Sequence, residues 1–122
     1  MTTLLVIDDD NLVRGMMANA LRKKGFNVLE AGDGNEGLQV VLHNTVDLVV
    51  TDMLMPDKEG VETIIELREI NSDMKIIAMS GGGKKQDMTF LKLAKQVGAN
   101  LVLEKPFRPS DLLGAINQLL DS

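Results

Sequence analysis

Five short runs rich in Val, Ile and Leu, at 4–7, 27–31, 48–51, 75–79 and 101–103, set the tightest limit on this chain. Each is followed by a longer stretch whose apolar residues recur with helical spacing. Alternating strands and helices demand parallel pairing, right-handed crossovers and helices on both faces of one sheet. The near-continuous apolar character of the runs fits a sheet covered on both sides. At 122 residues the pattern makes one domain.

The helical stretches can be placed in turn. In the first, Leu12, Val13, Met16, Met17, Ala20 and Leu21 share one face, and Gly25 follows as a stop. A second, weaker helix covers about 35–43. A third covers about 59–70, with Val61, Ile64, Ile65 and Leu67 on its apolar side. A fourth runs over about 86–97 and stops at Gly98. The last begins at Ser110 as N-cap and carries Leu112, Leu113, Ile116, Leu119 and Leu120.

Composition closes off several classes. Three Phe residues are the only aromatics, so the core is aliphatic, with the eight Met as flexible fillers. A net charge of −5 argues against nucleic acid as a direct partner, since phosphate backbones need a basic patch. There is no cysteine, hence no disulfide or thiolate metal site. The apolar run Leu4–Ile7 is too short for a signal peptide or membrane span, so a cytoplasmic protein without membrane contact is expected.

In folds of this kind ligands bind outside the carboxyl ends of the strands, where strand order reverses. Asp8, Asp9 and Asp10 follow the first strand, Asp52 the third, Ser80 the fourth, and Glu104, Lys105 and Pro106 the fifth. If the first and third strands are neighbours, Asp8, Asp9 and Asp52 converge. Three carboxylates together repel unless a cation intervenes, and Mg²⁺ with oxygen ligands meets that need. Lys105 would neutralise phosphoryl oxygens and Ser80 would donate a hydrogen bond to one. Taken singly, an acidic triplet is a solvated turn and a Lys-Pro is a turn. Their placement at successive strand ends is what points to phosphoryl chemistry.

The segments "LLVIDDD", "LVVTDMLMP", "IIAMSG" and "LEKPF", in this order and spacing, resemble the receiver domain of bacterial two-component response regulators over essentially the whole chain. The resemblance implies a flavodoxin-like, doubly wound sheet of strand order 2-1-3-4-5 with five helices. It implies that Asp52 accepts a phosphoryl group from a histidine kinase or phosphotransfer protein. Asp9, Asp52 and the Leu54 backbone carbonyl would bind Mg²⁺, with Asp8 acting mainly through water. Ser80 would move to hold the phosphoryl group, Lys105 would pair with it, and the Lys105–Pro106 bond would be cis. The domain would catalyse only its own phosphorylation and dephosphorylation. A downstream target, or a second copy, would read the face of the fourth helix, fifth strand and fifth helix.

Three positions depart from the family pattern. Val102 stands where an aromatic switch partner is common, so the output switch is not an aromatic flip. Leu54 stands where polar residues often assist the hydrolytic water, which would slow loss of the phosphoryl group. The loop "SGGGKKQD" is unusually rich in glycine. Residues 1–122 are expected to be receiver throughout, with no output domain after Ser122, as a stand-alone receiver or part of a longer regulator.

Other readings are weaker. "GDGNEG" at 32–37 matches a dinucleotide fingerprint, but Asp33 and Glu36 put negative charge in the loop, and a turn capping the second helix accounts for it. "SGGGKK" lacks the pieces of a P-loop. A phosphatase of the haloacid dehalogenase type wants a second acid two residues after its nucleophile, where Leu54 stands. His43 belongs on a solvated helix end. A degenerate receiver acting as a phosphorylation-independent interaction module is the main alternative, and the intact Asp8, Asp9, Asp52, Ser80 and Lys105 set argues against it.

Overall fold

The computed structural model describes residues 1–53, 60–80 and 92–121. Its elements are β1 (Thr3–Ile7), α1 (Asn11–Lys23), β2 (Asn27–Ala31), α2 (Gly34–His43), β3 (Leu48–Asp52), α3 (Gly60–Ile70), β4 (Lys75–Ser80), helical residues 92–97 (α4), β5 (Leu101–Glu104) and α5 (Pro109–Leu120). All strand pairs are parallel and the order is β2-β1-β3-β4-β5, as expected. The expected Leu54 carbonyl, the start of the third helix at 59, the glycine-rich loop and the first turns of the fourth helix lie outside the described residues.

Side-chain alternation along the strands splits the interior into two cores. Leu5, Ile7, Val49, Ile76 and Ala78 face Leu38 and Val41 of α2, Ile64 and Leu67 of α3, and Ala94 of α4. Their neighbours Leu4, Val6, Leu48, Val50, Ile77 and Met79 face Ala18 and Leu21 of α1 and Leu112, Ala115 and Ile116 of α5. The central strands β1, β3 and β4 are thereby almost wholly removed from water, at roughly 25 cal/mol per Å² of apolar surface, while the edge strands β2 and β5 stay partly exposed. Met53, Met74 and Met79 are buried fillers as the composition suggested, whereas Met16 projects into solvent.

Helix stops behave as expected. Gly25 (φ 96°) and Gly98 (φ 126°) take the left-handed conformation that closes a helix, after α1 and α4. Asp33 caps α2 by accepting from the Glu36 N–H at 2.8 Å, so the 32–37 segment is a helix cap. Gly37 is there for packing: a Cβ would sit 2.4 Å from Ile7 Cδ1.

Four expectations need correction. Leu12 and Met16 are 74% and 65% exposed, because α1 rests on the sheet through Ala18 and Leu21 and its apolar stripe is wider than the contact. Ile65 is likewise exposed, while Ile64 and Leu67 carry the packing of α3. The N-cap of α5 is Arg108, not Ser110. Pro109 presets the first helical residue and the Asp111 carboxylate reaches back to the Arg108 N–H at 2.9 Å. Finally, β3, β4 and β5 each run one residue further, taking in Asp52, Ser80 and Glu104. Ladder hydrogen bonds belong to the backbone and do not stop where polar side chains begin.

Candidate functional site

The strand tips are laced together by their main chains. Asp8 N–H donates to the Ala31 carbonyl at 3.1 Å, Met53 N–H to Met79 at 2.8 Å, and Lys105 N–H to Ser80 at 2.7 Å. Residues far apart in sequence are thus fixed at one end of the sheet. The Lys105–Pro106 peptide is cis.

The carboxylates of Asp8, Asp9 and Asp52 converge, with one oxygen from each lying within 4.8 Å of the others. Asp8 and Asp52 are buried and Asp9 is exposed, so the cluster opens to solvent on one side. Lys105 Nζ reaches Asp8 Oδ2 at 3.2 Å and Asp52 Oδ2 at 3.4 Å. Burial lowers the Lys105 pKa, but the negative charges of Asp52 and Asp8 outweigh it and hold the ammonium above its ordinary value. Lys105 thus pairs with two of the three clustered acids, and three converging carboxylates are a donor set that suits a divalent ion. At the neighbouring tip of β4, Ser80 Oγ is buried and has no hydrogen-bond partner among the described residues. A buried hydroxyl left without a partner costs about 1–3 kcal/mol. Asp8, Asp9, Asp52, Ser80 and Lys105 are all brought to this end of the sheet.

Asp10 is not part of the cluster. Its carboxylate caps α1, accepting from Leu12 and Val13 N–H at 3.0 and 3.1 Å. His43 is exposed at the end of α2, with Nδ1 2.8 Å from the Gln39 carbonyl, in keeping with its expected place. Val102 is half-buried and packs against the core shared with α2, α3 and α4.

Sequence reasoning missed two supports of the site. A Cβ at Gly60 would lie 2.6 Å from Met53 Cα and 2.7 Å from the Asp52 carbonyl, so only glycine lets α3 start against the end of β3. A glycine at a helix start, where a capping side chain is usual, was the available signal. The second is Arg14, whose Nη1 donates to the Asp8 carbonyl at 2.8 Å. No local pattern marked it, because its partners are a backbone carbonyl after β1 and Glu30 of β2.

Comparison with known proteins agrees with this fold. The profile of the response regulator receiver domain matches residues 4–117. The transcriptional regulatory protein CpxR of Klebsiella pneumoniae is 34% identical over 120 residues, covering 98% of this chain and 50% of CpxR. This chain spans about half the length of that curated relative. A response regulator receiver domain from Clostridium thermocellum superposes with a TM-score of 0.91 at 33% identity, covering 99% of this chain and 95% of the other. The response regulator TrrA of Thermotoga maritima, solved in complex with Mg²⁺-BeF, superposes with a TM-score of 0.85 at 27% identity, covering 98% and 99%.

Proposed function

From the chain's membership of the response regulator receiver domain family, whose members are two-component signalling switches, we propose that it takes a phosphoryl group onto Asp52. The observation that carries the reading is the buried Ser80 hydroxyl, without a hydrogen-bond partner among the described residues, beside a lysine-held aspartate at adjoining strand tips. An anion with several acceptor oxygens would give the Ser80 hydroxyl an acceptor and the Lys105 ammonium a further counter-charge.

The donor is a phosphohistidine of a sensor kinase or phosphotransfer protein. An Asp52 carboxylate oxygen attacks phosphorus, the P–N bond breaks, and the nitrogen keeps the electron pair. Asp8, Asp9 and Asp52 have the oxygen donors to hold Mg²⁺, and the relative bound to Mg²⁺-BeF supports that assignment. When bound, the ion neutralises charge on the transferring group. Lys105 turns from the carboxylates to a phosphoryl oxygen and Ser80 donates to another. Their shift biases the face of α4, β5 and α5, which a target protein or a second copy reads. The domain hydrolyses its own acylphosphate and acts on no other substrate. It works as a cytoplasmic receiver across residues 1–122.

Intact mass measured after incubation with acetyl phosphate tests this, with and without Mg²⁺. Wild type gains one phosphoryl group only with Mg²⁺, and Asp52→Ala gains none. Wild type without any gain would return the chain to a phosphorylation-independent interaction module.

A further inference from the structure

Asp8 and Asp9 are consecutive and alike in charge, so the peptide between them decides whether both carboxylates face the same point. The carbonyl of that peptide belongs to Asp8, and it accepts from Arg14 Nη1 at 2.8 Å. On its other side Asp8 is tied through its own N–H to Ala31. Gripping the carbonyl fixes ψ of Asp8 and φ of Asp9, and with them the direction in which exposed Asp9 leaves the chain.

Arg14 is itself held. Its Nε donates to Glu30 Oε1 at 3.2 Å, and Glu30 Oε2 accepts from Arg22 Nη2 at 3.1 Å. Arg22 Nη2 also donates to the Val28 carbonyl at 2.8 Å. The Arg14 side chain is only 17% exposed, and it runs so close to the turn after β2 that a Cβ on Gly32 would lie 3.4 Å from Nη1. The guanidinium fork thus bridges α1, β2 and the acid-bearing turn in one fixed geometry, which a lysine would not reproduce.

We propose that Arg14 is a positioning residue for divalent-cation binding, orienting the Asp8–Asp9 peptide through the Asp8 carbonyl, with Glu30 orienting Arg14. This rests on the reading of Asp8, Asp9 and Asp52 as the cation site. The proposal has a sign that charge alone would reverse. A nearby positive guanidinium repels Mg²⁺, so removing it should tighten binding if charge were its only effect. Loss of positioning weakens binding.

Titration calorimetry with MgCl₂ on the full chain decides between them. Arg14→Met is expected to bind Mg²⁺ about tenfold more weakly, the usual scale for losing an outer partner of a metal ligand. Arg14→Lys, which keeps the charge and loses the fork, should weaken by a similar factor. Glu30→Gln should weaken less, and adding it to Arg14→Met should cost nothing more, since both act through one contact. Thermal unfolding in EDTA identifies any variant that fails to fold; if Arg14→Met fails, Arg14→Lys and Glu30→Gln carry the test. Unchanged or tighter Mg²⁺ binding in the folded variants overturns the proposal and leaves the cation site standing. A wild type that binds no Mg²⁺ removes the site and the proposal together.

Discussion

At the amino edge of the sheet, Arg68 of α3 donates from all three guanidinium nitrogens to four neutral oxygens: the carbonyls of Gly98, Ser72 and Met74, and Asn100 Oδ1. At the carboxyl edge, Lys105 faces two buried carboxylates, with a third close by. Burial lowers the Arg68 pKa, with Asp73 opposing it, while the ammonium of Lys105 is held up by its acids. Arg68 is a closed account of hydrogen bonds joining α3 to the starts of β4 and β5. The lysine end gathers three acids around Lys105 and holds a buried Ser80 hydroxyl that has no hydrogen-bond partner among the described residues. A protein that needed only stability would have built both ends like the first; the second keeps an imbalance that an incoming group corrects.

Thermal and urea unfolding can break or sharpen that contrast. The largest effect belongs at the closed end. Arg68→Met removes the donors of the part-buried Met74 and Gly98 carbonyls and should cost about 3 kcal/mol, or on the order of 10 °C in Tm. A loss below about 1 kcal/mol would mean that the carbonyls find other partners and that Arg68 is no keystone. At the open end, the opposite sign is expected. Asp52→Asn removes one of three mutually repelling charges while Lys105 keeps Asp8, so in EDTA the variant should be more stable by roughly 0.5–1 kcal/mol. A clear destabilisation would show that the acid cluster is structural after all.

The smallest effect is in pH. The folded-state pKa of Lys105 is raised, so its ion pairs stabilise fully below the unfolded value of about 10.4 and are lost as pH rises through the higher folded value. The stability difference between wild type and Lys105→Met should shrink between pH 9 and pH 11.5. Screening at this partly exposed site limits the change to roughly a few tenths of a kcal/mol. A difference that grows over that range would reverse the assignment.

The open end was legible in the sequence and the closed end was not. Asp8, Asp9, Asp52, Ser80 and Lys105 each follow an apolar run, and strand alternation alone brings such positions to one edge. Arg68 sits in a helix beside Glu66 and Glu69, and Arg14 is a lone charge between Val13 and Gly15, so for each a solvated side chain is the ordinary reading. Their partners are mostly backbone carbonyls or residues of other elements, which carry no signature in the chain. The same holds for α1, where spacing marked Leu12 and Met16 as core although the sheet meets only part of the stripe. Periodicity tells which residues share a face, but the neighbouring element decides how much of that face is covered.

The contact between Lys105 and Asp8 joins residues 97 positions apart. Its consequence lies in the order of synthesis. Asp8, Asp9 and Asp52 leave the ribosome well before the strand that carries the lysine, and until β5 docks beside β4 the acids have neither their ammonium nor the Ser80–Lys105 tie. Docking of the last strand is therefore the step that brings the ammonium to Asp8 and Asp52 and ties Lys105 to the tip of β4, so the acid-bearing end of the sheet is the last part of the fold to be completed.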